Sequence, residues 1–169
     1  SGVAIALEVA TLLAASDAPA LPRPVRILLT DREETGLDGA RAFVQGASSG
    51  NGILCALNVD MVGQSSAAMA GRYWFQYAPG SEWIAGLGAE SVAAFAPEAL
   101  PAFTTTDMGG SDSVPFLQAG ECVVGFFAWP RHPTNHTQGD VLDLIQPAFL
   151  SGVARSAVAV ATAWVLHGE

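Results

Sequence analysis

The chain has 169 residues, half of them apolar, and its 16 acidic side chains against seven basic ones give a formal net charge of −9. All seven basic residues are arginines, and so acidic a chain lacks the basic footprint that binds a phosphate backbone. Its length and apolar content suit a single domain over residues 1–169 with a sizeable core.

Ser1 to Ala15 has only Glu8 and Thr11 as polar residues inside it, which predicts a helix largely enclosed by the domain and gives no sign of a signal peptide. A helix this apolar normally follows a strand and packs on a sheet. The Pro-rich link Pro19 to Pro24 ends it. The apolar run Ile27 to Leu29 then predicts a strand buried on both faces, stopped by five polar residues, Thr30 to Glu34. A helix with Ala40, Phe43 and Val44 on one face follows, so Glu33 and Glu34 fall where strand hands over to helix. Open α/β sheets put their ligands at such turns, and of two adjacent carboxylates one can bind a metal while the other takes a proton from water. As a dipeptide alone, Glu-Glu is more often a solvated loop pair.

GASSGNG is a loop by composition, and Ile53 to Val62 predicts a second central strand. Asp60 lies inside that apolar run, where an ionised carboxylate needs a partner, a metal or a strand end. Tyr73 to Tyr77 reads as an aromatic strand near an edge, and Ser81 to Phe95 as a helix with Trp83, Ile84, Leu87 and Val92 inward. Pro97 to Phe103 reads as a break and Thr104 to Gly110 as a polar loop. Ser111 to Pro115 starts a short helix closing at Gly120, with Ser111 as N-cap and Asp112 at its positive end. Val123 to Trp129 predicts another buried strand, leading into PRHPTNHTQGD. His136 lies in that loop, on the same end of a parallel sheet as Glu34, while His132 and His167 are expected to be merely exposed. Asp140 to the end is the last helix, with Leu142, Ile145, Phe149, Val153, Val160 and Trp164 for its inner face. Its run Phe149 to Leu166 is long and apolar, but Ser151, Arg155, Ser156 and Thr162 interrupt it, as in a half-buried terminal helix rather than a membrane span. Cys55 and Cys122 sit beside apolar runs and read first as small buried hydrophobes; a disulfide between neighbouring strands stays open.

Four pieces in this order resemble the zinc-dependent exopeptidases of the M28 family: SGVAIALEVATLL, the Glu33-Glu34 pair in TDREETGLDGAR, LNVDMVG around Asp60, and SDSVPFLQAG followed by NHTQGDVLDLI. The resemblance implies a three-layer α/β/α sandwich over a mixed, mostly parallel sheet, with two zinc ions at the carboxyl ends of its strands. Carried over by motif, Glu33 is the general base, Glu34 and His136 share one zinc, Asp60 binds the other, and Ser111, Asp112 and Thr137 stand close around them. The implied substrate is a peptide, cut at its N-terminal bond.

The chain departs from the family pattern in three ways. A histidine and a metal-bridging aspartate that members carry before their Ser-Gly-Val have no counterpart here, Ser113 replaces the histidine of Ser-Asp-His, and Met108 stands where some members have a tyrosine. The expectation is therefore a domain lacking the family's N-terminal part, metal-poor and inactive by itself, with a sheet edge or apolar surface that a second copy or the lost segment covers. Two alternatives are a single-zinc enzyme like glutaminyl cyclase and a catalytically dead interaction domain. The family's mostly exported members favour a secreted or periplasmic location.

Overall fold

The computed structural model describes residues 1–15, 22–47, 55–63, 72–97, 100–104, 110–129 and 132–167. Its sheet has four strands in the order β1-β4-β2-β3, where β1 is Ala56–Asp60, β2 Arg72–Tyr77, β3 Leu100–Thr104 and β4 Val123–Trp129. β1 pairs with β4 and β2 with β3 in parallel, while β4 and β2 run antiparallel, giving the expected mixed sheet. Helices α1 (Gly2–Leu13), α3 (Glu82–Phe95) and α5 (Pro147–His167) pack on one face, where Ile5, Val9, Phe75, Val92, Phe126, Val153 and Val160 form the larger core. Helices α2 (Asp38–Ala47) and α4 (Ser113–Ala119) cover the other through Ala40, Val44, Phe116 and Val123. The three layers are those the sequence implied.

The sheet's centre is packed without slack. Phe75 on β2 and Phe126 on β4 are fully buried and meet edge to face, centroids 4.9 Å apart. α3 comes down on them at Gly88, where a Cβ would lie 2.9 Å from Phe75 and 3.0 Å from Phe126. Only a residue without a side chain lets the helix sit that close. On the opposite face the Ser113 hydroxyl, fully buried, donates to Gln76 Oε1 at 2.5 Å. That bond satisfies a polar group in the core.

Several expectations are corrected. Residues 24–30 form no strand, and Val25 to Leu29 make no backbone hydrogen bond to any described residue. Ile27 is 39 % and Leu29 56 % exposed, because a strand is buried only by neighbours on both edges and both faces. α1 is not enclosed: Ile5 and Val9 are buried, whereas Val3, Leu7 and Leu12 face outward. β2 is interior, between β4 and β3, and part of the expected break is the edge strand β3. The last helix begins at Pro147, and Leu142, placed on its inner face by the sequence, lies in a 3-10 turn and is 82 % exposed. Trp83 is likewise exposed on α3. Met108 and most of the loops around residues 48–54 and 105–109 lie outside the described residues.

Among the described residues α5 is the one helix long and apolar enough to cross a membrane, and it packs against α1 and α3 as a core helix does. Cys55 and Cys122 are joined in a disulfide, correcting the reading of two separate small hydrophobes. They immediately precede the paired residues Ala56 and Val123, so adjacent parallel strands carry them side by side, with Cα atoms 4.4 Å apart. The bridge closes a loop of 67 residues and ties β1 to β4, its one neighbour among the described strands. Replacing both cysteines by alanine should lower unfolding free energy by about 3–4 kcal/mol. Guanidinium titration of the oxidised protein and the variant measures it; equal midpoints would show that pairing with β4 alone secures β1.

Candidate functional site

The Glu33-Glu34 turn is built by local bonds rather than by the sheet. Glu33–Thr35 is a single 3-10 turn, started by Arg32 in the left-handed region (φ 58°) and ended by Gly36 at φ 141°. Leu37 N–H closes it onto Arg32 O (3.1 Å) and Glu33 O (3.1 Å), and Gly39 N–H donates to Asp31 O at 3.0 Å. Arg41 Nε donates to Gly36 O at 2.9 Å. Thr30 donates its hydroxyl to Asp112 Oδ2, which fastens the approach to the turn onto the start of α4. α2 begins at Asp38, directly after this turn.

Asp60 ends β1 and is held by a chain of hydrogen bonds. Asn58 Nδ2 donates to Ser111 Oγ (2.8 Å), and Ser111 Oγ donates to Asp60 Oδ2 (3.0 Å). Ser111 is buried, and its hydroxyl serves Asp60 rather than capping α4; Asp112 stands at the cap position without a side-chain cap bond. Asp112 Oδ1 is buried and has no hydrogen-bond partner among the described residues.

His136 follows β4 in a compact turn, Thr134 to Asp140, and takes φ 61°. Its Nε2 lies 2.8 Å from Glu34 Oε1, with the two side chains 54 % and 67 % exposed. The Thr137 hydroxyl locks this turn, donating to Thr134 O (2.6 Å) and accepting Gly139 N–H (3.1 Å).

A cleft of about 840 Å³ is lined by Glu33, Asp60, Ser111, Asp112, His132 and Asp140 together with apolar residues of α1, β1 and residues 23–30. Glu34 and His136 are not among its lining residues; they meet each other in the open. Among the described residues, four non-glycines take the left-handed region, Arg32, Leu37, Met61 and His136, and all belong to the segments that carry Glu33, Glu34, Asp60 and His136. Each costs on the order of 1–2 kcal/mol, and such strain gathers where side chains must be aimed. His132, which the sequence left as merely exposed, is half-buried in the cleft. The signal that could have found it is its place between a buried strand and His136.

Zinc takes carboxylate oxygen and imidazole nitrogen at about 2.0–2.2 Å, usually from three or four protein ligands. Glu34 and His136 are donors of that kind and already in contact. No group of three or more donors converges among the described residues, so this set does not make up a zinc site.

The model of peptidase family M28 matches residues 1–161. The chain is similar in structure to the LapA aminopeptidase of Legionella pneumophila, with TM-score 0.78, 19 % identity and cover of 99 % of this chain and 45 % of that one. BSAP, a zinc aminopeptidase from Bacillus subtilis, superposes with TM-score 0.74 at 22 % identity over 93 % of this chain and 39 % of its own. A glutaminyl cyclase of Macrostomum lignano gives 0.58 at 19 %, over 78 % of this chain and 48 % of its own. The chain thus spans less than half the length of these solved structures. Among curated proteins no sequence matches it.

A methyl group on Gly39 would lie 2.6 Å from Asp31 N and 2.8 Å from Asp31 O, backbone atoms that cannot turn aside. Gly39→Ala should therefore destabilise the protein by about 1–3 kcal/mol and shift the Glu33-Glu34 turn. Thermal unfolding together with the backbone amide shifts of residues 31–39 measures both; a variant with unchanged shifts would refute the packing account.

Proposed function

Because the chain belongs to peptidase family M28, we propose that it is the catalytic part of an aminopeptidase, a hydrolase that releases N-terminal residues from peptides. The observation that carries the reading is Glu34 against His136 at 2.8 Å, with Glu33, the next residue, lining the cleft that Asp60 also lines. Glu33 is the general base: half-buried beside the cleft, it takes a proton from the attacking water and returns it to the departing amine. Ser111 and Asn58 hold the Asp60 carboxylate in one orientation.

In this proposal the complete protein uses zinc, with Glu34 and His136 on one ion and Asp60 on a second. Two donors and one fall short of the three or four that hold zinc firmly, so these 169 residues by themselves are metal-poor and turn over little. The free edge of β1 and the apolar residues 25–29 are surface that a further segment or a second copy covers. The disulfide and the acidic composition suit an exported protein, secreted or periplasmic.

Two measurements test this. Elemental analysis of the purified chain after zinc dialysis should give well under one ion per molecule, and two tightly held ions would refute the donor count. In the zinc-loaded complete protein, Glu33→Gln should keep its metal and lose turnover on an aminoacyl p-nitroanilide by about 10²–10⁴-fold. Parallel loss of metal and activity would mean that Glu33 is a ligand and Glu34 the base. Cyclisation of an N-terminal glutamine in place of amino-acid release would transfer the chain to the cyclase chemistry.

A further inference from the structure

Beyond the groups carried over from the family, the cleft is lined by a histidine whose ring is seated through one nitrogen. His132 lies in the turn after β4, closed by Asn135 N–H to His132 O at 2.9 Å. Its backbone is five residues beyond Phe127, the residue that pairs with Asp60, so it stands at the sheet end that carries Asp60. Its Nδ1 accepts the backbone N–H of Thr134 at 3.2 Å and lies 2.6 Å from Thr134 Oγ1. An imidazole nitrogen that accepts a backbone N–H carries no proton, so in a neutral ring seated by this bond the proton is on Nε2. The Thr134 contacts engage Nδ1, and Nε2 is the ring nitrogen they leave unused.

Peptide hydrolysis needs such an edge. When water adds to the scissile carbonyl, the π pair moves onto the carbonyl oxygen, and a donor already aimed at that oxygen lowers the barrier. Met108, at the position where some family members have a tyrosine, carries a thioether that donates nothing. Of the hydroxyls that line the cleft, Thr30 donates to Asp112 and Ser111 to Asp60, and Ser1 Oγ accepts the N–H of Val62. Asn135 also borders the cleft, but no hydrogen bond fixes where its amide points.

We propose that His132 is a catalytic residue of this chain, its Nε2–H donating to the carbonyl oxygen of the scissile bond and to the oxyanion that forms there, with no proton transferred. The proposal rests on the peptidase reading and is tested in two ways. Long-range 1H–15N imidazole spectra of the histidine-labelled chain should show His132 as the Nε2–H tautomer, and in the zinc-loaded complete protein an α-aminoalkyl boronic acid should shift that resonance. An Nδ1–H tautomer, or a resonance that the boronic acid leaves in place, overturns the proposal. In the zinc-loaded complete protein, His132→Ala should lower kcat by about 10²-fold with KM and zinc content held, and His132→Gln, which keeps an N–H donor, should restore a good part of it. Equal kcat for His132→Ala and wild type overturns the proposal, as does equal loss in the alanine and glutamine variants. A zinc-loaded wild type that hydrolyses no N-terminal bond refutes the peptidase reading instead, and the two imidazole observations then decide the role of His132.

Discussion

The pairing of β4 with β1 on one side and β2 on the other is the constraint from which the rest of the structure follows. Parallel pairing with β1 brings Asp60 opposite Phe127 and sends the following loop, with His132 and His136, off the same end of the sheet. Antiparallel pairing with β2 brings Phe75 against Phe126 and so sets how closely α3 approaches. At the amino end of the same two parallel strands the disulfide fixes their alignment. A one-residue slip in a strand turns every side chain to the other face, and here it would bury what the cleft needs and expose Val124 and Phe126.

The cost of aiming side chains out of this rigid frame falls on a few residues. Met61 takes φ 50° directly after Asp60, and Arg32 takes φ 58° directly before Glu33. Neither has the freedom of glycine, and local bonds hold both segments: Ser1 Oγ accepts Val62 N–H at 3.1 Å, and Leu37 N–H closes the Glu33 turn. Gly2 lets α1 come down onto this end of β1, where a Cβ would stand 2.0 Å from Val59 O. The first helix, the strand end and the acidic turn thus make a single packing problem, solved by glycine at the points of closest approach.

What the sequence made legible was whatever a short stretch decides for itself. Helix α3 has the period of its apolar residues, α4 ends at Gly120 with φ 74° as a helix C-terminus does, and β1 and β4 are runs of apolar residues bounded by polar ones. The candidate site was legible through motif order rather than through chemistry, since each fragment alone fits a solvated loop. Illegible was everything that depends on a distant neighbour. The pairing of Cys55 with Cys122 follows from strand adjacency, and the interior place of β2 follows from β3, formed by a stretch containing Pro101 that reads as a break. His132 gained its place from the turn that seats it, which no periodicity announces.

Residues 24–30 show how strongly context governs an apolar run. The same Ile-Leu-Leu that would be a core strand between two partners is here a segment without a backbone hydrogen bond to any described residue, fixed at its end by Thr30 on Asp112 and by the turn behind it. Glu33 and Glu34 therefore take their position from α2 and α4, whereas Asp60 and His136 take theirs from the sheet. The bond between these halves that involves Glu34 and His136 is one solvent-exposed contact, of a kind worth about 0–1 kcal/mol. So weak a tie cannot set the spacing of the two halves. That spacing is set by Thr30 and Asp112 and by the cores beneath α2 and α4, while Glu34 and His136 stay free to turn toward a third group.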